Sequence, residues 1–90
     1  MLIPIRTSQF KRDLQLAEKR GKKVSLIKAI MSSLAKEEEL DSKHRDHKLT
    51  GNDKDHRECH IEPDWLLIYR RTAKEIFFER TGTHSDLFKK

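Results

Sequence analysis

The chain has 90 residues, 34% hydrophobic and 39% charged, enough for a single domain over residues 1–90 with a small core. Lys and Arg number 20 against 15 Asp and Glu, a formal charge of +5, with the two signs interspersed. That mixture excludes a disordered like-charge tail and favours an anionic partner such as RNA, DNA or an acidic protein. A lone cysteine, Cys59, excludes an internal disulfide. No apolar run approaches the roughly 18 residues that span a bilayer. Met1 to Arg6 lacks the basic-then-apolar layout of a signal peptide, so a cytoplasmic location is expected.

Leu2 to Arg6 reads as a short strand, and Pro4, which cannot donate to a ladder, is expected at a sheet edge or at the beginning of a strand. Thr7 or Ser8 offers an N-cap, and Phe10, Leu14 and Ala17 follow at helical spacing. Gly21 suits the residue after a helix end. Val24, Ile27, Ile30, Met31 and Leu34 form one apolar stripe, which predicts a second helix. The short connection predicts a helical hairpin covering a sheet.

From Leu40 to Asp55 the chain is polar and reads as one long loop, a common place for function. His56 to Ile61 alternates: Arg57, Cys59 and Ile61 share one face, and His56, Glu58 and His60 the other. Glu62-Pro63-Asp64 reads as a tight turn. Trp65 to Tyr69 is an unbroken apolar run, right for a strand buried on both faces. Thr72-Ala73-Lys74 is a second turn, Glu75 to Arg80 a further strand, and Ser85 to Phe88 a short terminal piece. The order predicts an α+β fold, a mostly antiparallel sheet with helices on one face.

Five histidines all lie after residue 43. Imidazole serves as acid and base near neutrality. Cleavage of RNA by its own 2′-hydroxyl needs a base, an acid and positive charge on the phosphorane. Histidines, a carboxylate and several Lys and Arg residues suffice, so the rim around His60 and Asp64 is expected to belong to an RNA-cutting site. No metal or cofactor is expected: Cys59 and His60, adjacent on a strand, point to opposite faces, and the His44/His47 pair has no second cysteine. His44 and His56 read as solvated surface histidines. Trp65 and Tyr69 read first as core, with Trp65, at the strand's start, also a candidate for contact with a base.

Asp46-His47-x-Leu49-x-Gly51, Arg57-x-x-His60-x-x-Pro63-Asp64-Trp65-x-Leu67-x-Tyr69 and Arg80-x-Gly82-Thr83-His84-x-x-Leu87-Phe88 together resemble the YafQ branch of the RelE/ParE toxin superfamily. The resemblance covers essentially the whole chain. It implies a RelE-like compact domain and the toxin of a type II toxin–antitoxin pair, an endoribonuclease that cuts mRNA in the ribosomal A site. It implies a DinJ-like antitoxin with a ribbon-helix-helix part as partner, and operator DNA contacted through that antitoxin. Carried over by motif, His47, His60, Asp64 and His84 are catalytic. Phe88, Arg57, Arg80 and Trp65 are expected to hold substrate, with Asp64 orienting a neighbouring histidine and favouring its imidazolium. Asp53 and His56 stand where the family often has aromatics. Two other readings stay open: a gyrase-poisoning inhibitor on the same fold, and a basic RNA-binding module that cuts nothing.

Overall fold

The computed structural model describes residues 1–49 and 55–88, so Gly51 and Asp53 lie outside the described residues. The elements are β1 (Ile3–Arg6), α1 (Ser8–Lys19), α2 (Val24–Ala35), a 3-10 turn (Ser42–His44), β2 (His47–Lys48), β3 (Arg57–Glu62), β4 (Trp65–Arg71), β5 (Glu75–Gly82) and α3 (His84–Leu87). The strands form one sheet in the order β1-β5-β4-β3-β2. Every pairing is antiparallel except β1 with β5. The Pro4 strand therefore lies at an edge, as its missing N–H requires.

The strand alternation sorts the chain into two faces. Cys59 and Ile61 of β3, Trp65, Leu67 and Tyr69 of β4, and Ile76 and Phe78 of β5 join Phe10, Ala17, Ile27, Ile30, Met31 and Leu34 in one core cluster. This is the helix-covered face, and the α2 stripe supplies much of it. Leu66 and Ile68 point the other way; they too are buried, but outside that cluster. The continuous apolar run of β4 thus has the cause its pattern predicts, burial on both faces of the middle strand.

Thr7 caps α1, its hydroxyl accepting from the Phe10 amide at 3.0 Å. Gly21, at φ +86, turns the chain out of α1 in the left-handed region. Asp13 was not anticipated as a core residue: it sits on the inner stripe of α1 between Phe10 and Ala17 and is buried. A buried carboxylate needs partners. Asp13 accepts from Arg80 Nε at 2.7 Å, from the Thr81 amide at 3.1 Å and from Gln9 Nε2 at 2.9 Å. These contacts bind α1 to the end of β5.

The polar stretch is not one loop. Its middle forms the 3-10 turn and the two-residue strand β2, which pairs with β3 through His47↔Glu58 and Lys48↔Arg57. Asp46 beside it accepts from the Tyr69 hydroxyl at 2.5 Å and from Arg57 Nε at 3.3 Å. Burial and this bond to Asp46 push the Tyr69 phenol well above its ordinary pKa, so it stays a donor.

Candidate active site

Strand register brings distant histidines together. β2 sets His47 directly opposite Glu58. Two residues on, His60 occupies the same face of β3, opposite Leu66 of β4, and Leu66 is opposite Gly82 of β5. Past Gly82 the chain turns at Thr83 into α3, whose first residue is His84. Asp64 lies in the β3–β4 turn beside this row. The ring centroids of His47 and His60 are 6.5 Å apart, and those of His60 and His84 5.8 Å apart.

His84 and Asp64 form a dyad. Oδ1 of Asp64 accepts from His84 Nδ1 at 2.6 Å and from the His84 backbone N–H at 2.9 Å. These two bonds, the backbone one first, hold the Asp64 carboxyl below its ordinary pKa. It therefore remains an acceptor across the neutral range. An Nδ1–H donated to Asp64 assigns the tautomer and leaves Nε2 with its lone pair. That nitrogen has no hydrogen-bond partner among the described residues, and the side chain is 54% exposed.

The other two rings share a different carboxylate. Oε1 of Glu58 stands 3.4 Å from His47 Nε2 and 3.5 Å from His60 Nε2. Nδ1 of His47 reaches the Arg45 carbonyl at 2.5 Å, and Nδ1 of His60 the Pro63 carbonyl at 3.3 Å. All four nitrogens of the pair thus face oxygen acceptors. Glu58 is only 6% exposed, so its carboxylate faces these two rings rather than open water. The alternation of β3 sets Glu58 beside His60, but nothing in the sequence showed that this face is closed to water there.

Glu58→Gln keeps the size and removes the charge. For the RNA cleavage that the sequence leads us to expect at this rim, the rate should fall about tenfold, the scale of one lost charge-assisted contact of roughly 1.5 kcal/mol. Single-turnover kinetics beside a thermal melt checks this, with the melt expected to stay cooperative.

The remaining site expectations divide. Phe88 is half-buried at the end of α3, its amide bonded to the His84 carbonyl at 2.8 Å, one helical turn along the chain from the dyad. Trp65 requires correction: it is 1% exposed, and its Nε1–H donates to Thr81 Oγ1 at 2.9 Å. A ring closed into the helix-covered core has no face for a base. Arg57 and Arg80, expected as substrate cations, are each paired with a carboxylate of the fold. Arg57 points to the Cys59–Ile61 face, and its Nε serves Asp46 and Tyr69. Arg80 donates to Asp13 through Nε at 2.7 Å and a second nitrogen at 3.3 Å. Both anchor segments that carry site residues. His44 is likewise more than a solvated ring, since its Nδ1 donates to the His60 carbonyl at 2.6 Å. His56 stands apart, 3.9 Å from Glu79. Cys59 is fully buried, on the face opposite His60. A cleft of about 770 Å³ between α2 and the segment Lys43–Arg45 shares only His60 with the row of imidazoles.

Residues 4–89 match the family model described as the bacterial toxin of type II toxin–antitoxin system, YafQ. The chain belongs to the YafQ toxin family. It is 43% identical over 83 residues to the mRNA interferase toxin YafQ of Escherichia coli strain K12, covering 91% of this chain and 90% of that relative. The crystal structure of the E. coli DinJ–YafQ complex superposes with TM-score 0.91 at 40% identity, covering 98% of this chain and 99% of that one. A metal-bound toxin from Helicobacter pylori superposes with TM-score 0.91 at 40% identity, covering 98% and 100%. The likeness extends over the whole of this YafQ-family chain, including the α+β fold with its five-stranded sheet. Among the described residues no helix is long and apolar enough to cross a membrane.

Proposed function

We propose that this YafQ-family toxin is an mRNA endoribonuclease that cuts ribosome-bound message by metal-independent transesterification. The observation that carries the reading is the convergence of His47, His60 and His84, from β2, β3 and α3, with Asp64 and Glu58 between them. In the reaction the ribose 2′-oxygen bonds to the adjacent phosphorus and the bond from phosphorus to O5′ breaks. One fragment keeps a 2′,3′-cyclic phosphate and the other a 5′-hydroxyl. One proton leaves the 2′-oxygen and one reaches O5′, so the balance closes on two imidazoles.

His84 takes the 2′ proton at Nε2, while Asp64 keeps Nδ1–H in place and stabilises the imidazolium that forms. The His47–Glu58–His60 group holds the proton delivered to O5′ and the positive charge facing the phosphorane. Phe88 stacks on or positions a base. The gyrase-inhibitor reading leaves this cluster without a purpose, and a plain binding module has no need of the Asp64–His84 dyad.

A DinJ-like antitoxin is the proposed partner, supported by the E. coli relative's complex with DinJ. The antitoxin's ribbon-helix-helix part would contact operator DNA. The cytoplasm, where translating ribosomes are, is the proposed place of action.

The test is to add the purified toxin to ribosomes programmed with a defined mRNA and map both new ends. Fragments ending in 2′,3′-cyclic phosphate or 3′-phosphate, with 5′-hydroxyl partners, are expected. Ends bearing a 3′-hydroxyl and a 5′-phosphate would mark metal-assisted hydrolysis and overturn the mechanism. Intact mRNA with gyrase-linked DNA breaks in cells would overturn the activity.

A further inference from the structure

We infer that Arg20, at the end of α1, is a positioning residue for the reaction: through Asp86 it fixes α3 and with it the ring of His84. The inference rests on the reading of His84 as a proton-transfer group.

α3 has four residues, far too few for a helix to hold itself in water. Its orientation must come from outside contacts, made by Asp64 of the β3–β4 turn and, through Arg20, by Asp86 of α3 itself. At its start, Asp64 takes both the amide and the ring of His84. On its other side, Asp86 closes a reciprocal cap with Thr83: the Asp86 amide donates to Thr83 Oγ1 at 3.1 Å, and Asp86 Oδ2 accepts from the Thr83 amide at 3.0 Å. That cap fixes the turn but not its place on the protein.

Arg20 supplies the place. Its guanidinium donates to Asp86 Oδ2 at 2.6 Å and to Oδ1 at 3.4 Å. The backbone of Arg20 is itself fixed, since its amide bonds the Leu16 and Ala17 carbonyls at the end of α1. α1 in turn is bound to β5 through Asp13. Arg20 therefore refers α3 to the body of the molecule across 66 residues of chain. Close packing completes the seat: a Cβ on Gly82 would come within 2.9 Å of Asp86 Cβ, so only glycine lets α3 lie this near β5. The Arg20 and Thr83 contacts lower the Asp86 carboxyl to about 2, so the tether is present at neutral pH and is lost as pH falls through that value.

Arg20 is also partly exposed, and a direct contact to an RNA phosphate is the competing role. Arg20→Ala, Arg20→Lys, Asp86→Ala and the Arg20→Ala/Asp86→Ala double variant separate the two. Positioning predicts a loss of about 10- to 100-fold in the single-turnover cleavage rate at saturating ribosome-bound mRNA for Arg20→Ala. Asp86→Ala, which removes the Thr83 cap as well, should lose at least as much, the double variant should add little beyond Asp86→Ala, and Arg20→Lys should recover part of the rate. Apparent affinity should be unchanged, and the His84 side-chain signals in nitrogen-15 NMR of the free toxin should shift or broaden. Weakened affinity in Arg20→Ala, with a normal saturated rate and unmoved His84 signals, overturns the inference in favour of a phosphate contact. Unchanged rate and unchanged signals overturn it outright. His84→Ala run in parallel keeps the two readings apart: if that variant stays active, the role of His84 falls, while the NMR arm still decides whether Arg20 orders α3.

Discussion

His84→Ala lowers the single-turnover rate on ribosome-bound mRNA by about 10²- to 10⁴-fold, the range for removing one positioned acid–base group. The fold should survive, because the ring is 54% exposed and the backbone bond from residue 84 to Asp64 does not need it. A thermal melt should therefore move little while activity collapses. Asp64→Ala should follow in the same direction with a smaller loss, since it frees the ring without deleting it. Because the bonds from His84 already hold the Asp64 carboxyl low, acidification to ordinary carboxylate pKa values should not by itself undo the dyad. The pair of measurements, rate and melting temperature, distinguishes a chemical role from a packing role. A variant that melted early and lost activity in proportion would point to packing.

Trp65→Ala shows the opposite signature. The indole is buried against the helices and bonded to Thr81, whose own hydroxyl donates to the Leu66 carbonyl at 2.6 Å. Truncation opens a large cavity and removes a hydrogen-bond donor from a buried hydroxyl, a cost of about 3–5 kcal/mol. In a chain of 90 residues that lowers the melting temperature by roughly 15 °C or more. Trp65→Phe fills most of the space and should lose less. RNA affinity measured well below the melting transition should be close to that of the parent chain. Were Trp65 a stacking platform, Trp65→Ala would melt normally and bind RNA poorly.

The contrast between these two residues marks what the sequence could tell. Periodicity located α2 and the middle strand because both are long apolar patterns, and the structure keeps them where the pattern put them. It could not tell which way Trp65 faces. An unbroken apolar run carries no alternation, so neither face of β4 is distinguished until its neighbours are known. β2 escaped notice for a related reason: two residues, His47 and Lys48, have no period, and only the register with β3 makes them a strand. Arg57 and Arg80 looked like free cations because their carboxylate partners, Asp46 and Asp13, lie 11 and 67 residues away. Glu58 was on the right face by alternation, yet its burial depends on tertiary packing.

The histidines themselves were legible as a chemical inventory. Their convergence was not, because it depends on three strand registers in succession and on a glycine, Gly82, that seats α3 against the sheet. Polar groups far apart in sequence and brought together at the rim of a sheet are typical of sites carried by loops and strand ends.

The most direct test of the catalytic reading replaces one atom of the substrate. A ribosome-bound mRNA with a single 2′-deoxy nucleotide on the 5′ side of the scissile phosphate lacks the nucleophile. Cleavage at that bond should disappear while neighbouring susceptible bonds are still cut. Cleavage there at the rate of the all-ribose message would mean that water attacks the phosphorus, contradicting the role given to the imidazoles.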